Sequence, residues 1–379
     1  MSFQRLTEFL DHIGDWGGIP GCDCVVYHHH KPVYRHTAGF DDLEAGTRLR
    51  SDAFYYLFSA TKVITCATAL TLLDDGYFTL YTPVSEFIPE FADAKVLKPV
   101  EPGRYEPQKA ENELTMRDLF TMRSGLDYNL RSPGILEVLE KTDGRAPTLD
   151  IVRALAKQPL AFEPGTHFRY SLSHDVLGGV VEAITGKKLG AYMRERIFDP
   201  LGMEHTGFAI DEYMKERLAK QYYYRGTDNT THPQETSCPY QLGSEYESGG
   251  AGLVSCVDEY ILFAEALCNG GKGLNGERIL SKQAIDMMRI DTIPDEQKRH
   301  EYGRPGYGYG LGVRTHVNPS LSGSLTSVGE FGWDGAAGFH VSIDPEREIS
   351  IVYAQHVLGG KFTYYHRLIN NIVHASLQD

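Results

Sequence analysis

A serine hydroxyl and a lysine amine one helical turn apart can share a proton. This chain of 379 residues holds one such pair, Ser59-Ala60-Thr61-Lys62. Residues i and i+3 of a helix lie on one face, so the Lys62 side chain can reach the Ser59 hydroxyl. That hydroxyl is a poor nucleophile until a neighbour accepts its proton. The free N–H groups and positive dipole end at a helix start would favour both the alkoxide and a carbonyl oxygen turning anionic. The plain alternative is an N-capping serine followed by a surface lysine, which composition alone produces about once in a chain this long. Gly-x-Ser-x-Gly, His-Glu-x-x-His and Gly-x-x-x-x-Gly-Lys-Ser/Thr are all absent, which disfavours a nucleophile elbow, a zinc peptidase and a phosphate-binding loop.

The elements that must position this pair follow from the hydrophobic pattern. A strand region, Phe54 to Phe58, leads into an amphipathic helix from Ser59, with Val63, Ile64, Ala67, Leu70 and Leu73 recurring at three and four residues and Gly76 as its stop. Before it come an amphipathic helix (Phe3, Leu6, Phe9, Leu10, Ile13) and two apolar strands, Cys24 to His29 and Val33 to Phe40, joined by a His30-Lys31-Pro32 turn. The middle reads as helices broken by Pro/Gly loops: Thr115 to Thr121, Leu149 to Gln158, Ser173 to Thr185, Leu189 to Phe198 and Val257 to Leu267. The tail returns to strands, Tyr307 to His316, Gly338 to Ile343 and Ile349 to Ala354, and closes with a helix from Phe362 to Leu377. The expected fold class is α+β: an antiparallel sheet flanked by helices, built from both chain ends and interrupted by a helical insertion. The expected division is a discontinuous sheet domain, 1–75 and 271–379, and a helical domain, 76–270, with a cleft between them.

Composition narrows the function classes. Lys plus Arg number 37 against 51 Asp plus Glu, a net charge of −14, which gives no electrostatic footprint for nucleic acid or an anionic membrane. No run of 18 apolar residues occurs, and Asp11 and Asp15 fall where a signal peptide would need a hydrophobic stretch, so a cytoplasmic protein is expected. The 6 cysteines form no Cys-x-x-Cys pair and read as reduced thiols. Cys22-Asp23-Cys24 with His28, His29 and His30 suggests a metal site, but strand alternation puts Cys24, Val26 and His28 on one face and Val25, Tyr27 and His29 on the other.

Further segments line up in a telling order. Gly21 through Phe40 forms an opening hairpin ahead of Ser59-Ala60-Thr61-Lys62. Leu72-Leu73-Asp74-Asp75-Gly76 and Pro83 through Pro89 follow, then Leu114 to Thr121 running into Ser124-Gly125-Leu126. Phe162-Glu163-Pro164-Gly165-Thr166 leads to Tyr170-Ser171-Leu172, and Asp199 to Met203, Gly249 to Leu253, Tyr307 to Gly312 and Trp333-Asp334-Gly335 come after. From about residue 18 to 358 the chain resembles the serine β-lactamase-like, penicillin-binding-protein-like hydrolases. These include class C β-lactamases, DD-peptidases, D-aminopeptidases and β-lactamase-like carboxylesterases. The motifs are most similar to the carboxylesterase branch.

The resemblance implies roles. Ser59 would be the nucleophile, and Lys62 and Tyr170 would carry its proton. An ordinary tyrosine, near pKa ~10, can do so when a cation such as Lys62 steadies its phenolate or the proton moves in concert. The backbone N–H groups of Ser59 and Ala336 would form an oxyanion hole. The family's second motif, Tyr-x-Asn, has Leu172 at its Asn position. The third motif, usually Lys or His, a small residue and Gly, has Trp333 at its first position and keeps Gly335. Trp333 and Leu172 would therefore offer an apolar wall where β-lactamases bind a carboxylate and an amide. Glu163 superficially resembles the deacylating glutamate of class A β-lactamases, but no matching Asn follows. Tyr222-Tyr223-Tyr224 and Arg225 read equally as a pocket lining or an exposed loop cluster. His174 and Asp175 read as the start of a helix. The expectation is a serine hydrolase forming an acyl-enzyme on small carboxylic esters, with no metal or organic cofactor and no nucleic-acid or membrane partner. β-Lactamase, D-amino-acid peptidase or amidase, or acyltransferase activity stands as the alternative within the same chemistry, and a catalytically weak binding or regulatory protein as the alternative outside it.

Overall fold

In the computed structural model, which describes residues 2–360 and 362–377, strands from both ends of the chain share one antiparallel sheet. Its strands are β1 (Gly21–His28), β2 (Lys31–Asp42), β3 (Thr47–Arg48), β4 (Tyr307–Tyr309), β5 (Arg314–His316), β6 (Phe331–Asp334), β7 (His340–Asp344) and β8 (Ile349–Ala354), in the order β4-β5-β6-β7-β8-β1-β2-β3. The ends meet where β8 pairs with β1, Cys24 lying opposite Tyr353. Five helices frame the sheet and the site: α1 (Gln4–Asp11), α2 (Thr61–Asp74), α3 (Ser173–Thr185), α4 (Val257–Cys268) and α5 (Phe362–Ser376).

Strand alternation sorts the side chains as the sequence implies. Cys22, Cys24 and Val26 pack with Ile349, Ile351 and Tyr353 beneath α1 and α5. Val25 and Val352 point to the opposite face and join the larger core with α2, α3 and α4. Every residue of β8 is buried, as expected for an apolar central strand covered on both faces. The first hairpin turns one residue earlier than expected. His29 and His30 are its two turn residues, both at positive φ (51° and 59°), and Lys31 and Pro32 already belong to β2. Positive φ at both positions of a two-residue turn matches the right-handed twist of the flanking strands. The 6 cysteines are all buried and free.

The insertion between β3 and β4 holds the expected helices, among them Met116–Phe120, started by a Thr115/Asp118 capping box, and Thr148–Ala156. It also carries two hairpins where loops are expected, Lys95–Glu101 with Arg104–Lys109 and Tyr222–Arg225 with Thr230–Pro233. In the second hairpin Tyr222 and Tyr224 turn into the core under the sheet and only Tyr223 faces solvent. Alternation thus makes the tyrosine triplet neither a pocket lining nor an exposed cluster. Helix α4, late in the insertion, lies against β1, β7 and β8. Among the described residues no helix is long and apolar enough to cross a membrane.

Helix α2 departs from its expected form. Its apolar spacing reads as amphipathic, yet Thr61 through Leu72 are all buried, because the helix runs between the sheet and the inserted helices. Its threonines are satisfied: Thr68 donates to the Ile64 carbonyl and Thr71 to that of Thr68 within the helix (both 2.8 Å), and Thr65 Oγ1 to the distant Gly249 carbonyl (2.7 Å).

Candidate active site

The chain reaches Ser59 through a pinned turn. Of the expected strand Phe54 to Phe58, Phe54 bridges Leu218, Tyr55–Tyr56 pairs with Val254–Ser255, and the Leu57 N–H then bonds to the Leu253 carbonyl (2.9 Å). A 3₁₀ turn, Phe58–Ala60, follows and passes directly into α2. Phe58, fully buried, sits at φ 46°. Left-handed backbone on a bulky residue is a strained state that persists only where surrounding contacts over-determine it, and such states cluster at functional sites. The Tyr260 hydroxyl donates to the Ala60 carbonyl (2.9 Å), and the Leu253 N–H to Thr61 Oγ1 (3.2 Å), which fixes the far side of the turn. Ser59 is partly exposed, and its hydroxyl has no hydrogen-bond partner among the described residues.

Lys62 lies one turn on and is fully buried. Its Nζ donates to the Gly250 carbonyl (2.6 Å) and to the Tyr128 hydroxyl (3.3 Å). It also sits 4.6 Å from the centre of the Tyr170 ring and 5.4 Å from that of Tyr128. Tyr170, just ahead of α3, stacks on Tyr128 on one side and on Trp333 on the other, both at 5.7 Å. The Trp333 Nε1–H donates to the Tyr170 hydroxyl (3.2 Å). Burial holds the Tyr128 phenol well above its ordinary pKa, so it faces Lys62 as a neutral hydroxyl. Lys62 and Tyr170 are thus in direct contact, while no hydrogen bond joins either of them to Ser59.

The third motif closes on the same turn. Gly335 lies so near the Leu57 carbonyl that a side chain there would collide with it. The Gly335 N–H is taken by Phe339 O (2.7 Å) and the Gly338 N–H by Gly335 O (2.9 Å), whereas the Ala336 N–H between them has no acceptor among the described residues. Ala336 packs against the small apolar cluster that contains Phe58, the residue before Ser59. Trp333, though largely buried, is placed against Tyr170 in the site. Leu172 does not form the expected wall: it is 2% exposed, its N–H bonds to Asp127 O (3.0 Å), and its side chain enters the main core as the chain turns into α3.

Residues to which the sequence assigns no role in the site complete the surroundings. Tyr128 and Tyr240 stand edge-to-face at 5.7 Å, and Tyr240 meets Phe58 in the same way at 6.0 Å, so aromatic rings run from Trp333 round to the serine turn. Asp175 accepts from Tyr246 (2.8 Å), Ser248 (2.6 Å) and the Gly250 N–H (3.3 Å), and so shapes the loop whose carbonyl receives Lys62. A side chain at Gly250 would strike the Asp175 carboxylate and come within 3.3 Å of Lys62 Nζ. The Gly249-Gly250 pair was the one signal for this close approach. Burial, and after it the charge on Lys62, push neighbouring His174 down to about 3, so it is neutral and outside the proton chemistry. Glu163 is engaged by Lys98 (3.0 Å) and by the N–H groups of Glu111 and Asn112, a structural role.

The beta-lactamase family model matches residues 6–372. The chain belongs to the beta-lactamase family. It is 29% identical over 369 residues to esterase EstB of Burkholderia gladioli, covering 92% of this chain and 88% of that one. It is 33% identical over 337 residues to the lovastatin esterase of Penicillium rubens, covering 80% and 78%. Its fold matches unliganded simvastatin synthase LovD of Aspergillus terreus over 100% of both chains, with a TM-score of 0.83 at 22% identity.

Proposed function

We propose that the protein is a serine hydrolase that cleaves small carboxylic esters through an acyl-enzyme on Ser59. The observation that carries this reading is the Lys62 amine, buried one turn after a partly exposed serine and held against Tyr170. In the proposed cycle the Ser59 oxygen attacks the ester carbonyl, and its proton passes to the Lys62/Tyr170 pair and on to the leaving alcohol. An indole N–H on the phenol oxygen and a cation against the ring both offset the negative charge that the Tyr170 oxygen carries before it takes the Ser59 proton. The carbonyl oxygen takes its hydrogen bonds from the N–H groups of Ser59 and Ala336, the second of which is free to give one. Water then attacks the acyl-enzyme by the reverse route. Trp333, Tyr128 and Tyr240 surround this space with rings, and Trp333 stands where β-lactamases carry a Lys or His, which fits an uncharged, partly apolar acyl group. The esterase relatives support the same substrate class. Six free, buried thiols agree with a cytoplasmic setting. The test is p-nitrophenyl acetate and butyrate hydrolysis with nitrocefin alongside. An initial burst of nitrophenol, lost in Ser59→Ala, is expected; ester hydrolysis unchanged by that substitution sinks the proposal, and nitrocefin turnover as fast as ester turnover moves it to β-lactam hydrolysis.

A further inference from the structure

Away from the serine turn, a polar cavity of about 300 Å³ opens beneath α5, lined on β6 by Asp334, the residue after Trp333. Three guanidinium groups line it: Arg314 on β5, nearly buried; Arg304, partly exposed; and Arg367 on α5, exposed at the mouth. The guanidiniums of Arg314 and Arg367 each lie 5.6 Å from the Tyr307 ring. Asp334 is the one acid in the lining, and its oxygens are already engaged. Oδ1 takes His340 (2.7 Å) and His366 (2.9 Å), while Oδ2 takes Arg304 (3.1 Å) and stands 3.7 Å from Arg314. Arg314 is shared with Glu330 behind it (2.7 Å). Three cations face two carboxylates, so the cavity is positive in a chain of net charge −14. The Tyr302 hydroxyl, in the same lining, is buried with no partner among the described residues.

Asp334, His340 and His366 have the composition of a metal triad. Two guanidiniums fixed on the same carboxylate oppose a divalent cation there and favour an anion. A water occupies ~30 Å³, so the cavity has room for about ten waters or for an acid of several carbons. Planar guanidinium groups pair with carboxylates in a two-point fork. We propose that this cavity binds a small organic carboxylate, held by Arg304, Arg314 and Arg367, and that Arg304 relays its occupancy to the ester site. Arg304 also lies 4.6 Å over the Trp333 ring, and Trp333 donates to Tyr170, so drawing Arg304 into the cavity releases one face of the indole.

Calorimetric titration of the whole protein with hexanoate, inorganic phosphate and zinc chloride in separate runs tests the binding claim without reference to catalysis. Hexanoate is expected to bind with a submillimolar Kd that weakens at least tenfold in Arg304→Gln and in the surface variant Arg367→Gln. No hexanoate heat up to about 10 mM, or equal affinity in both variants, overturns the proposal. Phosphate binding tighter than hexanoate overturns the carboxylate assignment. Zinc binding that His340→Gln removes assigns the cavity to a metal and also overturns it. In a Trp16→Phe background, hexanoate is expected to shift the emission of Trp333, and the shift is absent in Arg304→Gln. Binding with no such shift refutes the relay.

Discussion

Replacing Gly335 with alanine probes the junction between the third motif and the serine turn. Gly335 is not at positive φ, so alanine is allowed by its backbone, and the whole effect comes from one methyl group. That methyl would meet the Leu57 carbonyl about 1 Å inside the ordinary 3.4 Å separation. Neither side yields easily. The Leu57 N–H is bonded to Leu253 (2.9 Å) and Leu57 is fully buried, while the Gly335 N–H is bonded to Phe339 (2.7 Å). The strain must therefore open the gap between Ser59 and Ala336 by something approaching 1 Å, and a misplacement of that size costs on the order of 10²-fold in rate. This corresponds to about 2.7 kcal/mol of lost transition-state stabilisation, alongside an overpacking cost of ~1–3 kcal/mol in stability. The assay is kcat/KM for p-nitrophenyl butyrate at 25 °C, with urea midpoints showing that the variant is folded. A folded Gly335→Ala enzyme within about threefold of wild type refutes the placement of the oxyanion site at this junction.

Other substitutions separate the remaining roles. Tyr170→Phe keeps the ring stack with Tyr128 and Trp333 and removes only the hydroxyl, so kcat/KM should fall about 10²–10⁴-fold with little change in unfolding midpoint; a fall below threefold contradicts a proton role. Lys62→Met should lower the rate at least as much and, by removing a nearby positive charge, raise the pKa of His174 from about 3; an NMR titration of that ring left unmoved contradicts the charge contact. Stability should fall in acid. Burial lowers His356 from 6.5 to about 4, so below pH 6.5 the unfolded chain binds the proton that the folded chain refuses, and stability present above that pH is lost as the pH falls. With a slope approaching ~1.4 kcal/mol per pH unit between the two pKa values, this histidine alone costs about 2 kcal/mol between pH 6.5 and 4.5, and His356→Gln should narrow the pH 7.5 to 4.5 difference in unfolding free energy from urea titrations by about that amount; an unchanged difference contradicts it.

How much of this was legible in the sequence depends on how local each constraint is. Ser59 and Lys62 are readable because their juxtaposition needs only one turn of helix. Tyr170 is readable through the resemblance, as the tyrosine of the second motif that follows Glu163-Pro164-Gly165. The sheet shared by both termini is readable because alternation and motif order survive the long insertion. Tyr128, Tyr240 and Asp175 are not, since nothing in their spacing ties them to Lys62; they arrive through the packing of loops far apart in the chain. Leu172 shows the converse error: its motif position suggests a substrate wall, but the entry into α3 turns it into the core. The His29-His30 turn was missed because Lys31-Pro32 reads locally as the stronger turn signal, whereas strand twist selects the two-residue form. Helix α2 hides its true burial for a related reason, as threonines that bond back to its own carbonyls read as a polar face.

The central claim is that Ser59 forms a covalent acyl intermediate. Incubating wild type and Ser59→Ala with a fluorophosphonate probe, followed by intact-mass and peptide mass spectrometry, tests it most directly. A single adduct on the peptide carrying Ser59, absent from Ser59→Ala, is the predicted result. An unlabelled Ser59 in a preparation that still hydrolyses p-nitrophenyl butyrate, or an adduct on another residue, contradicts it.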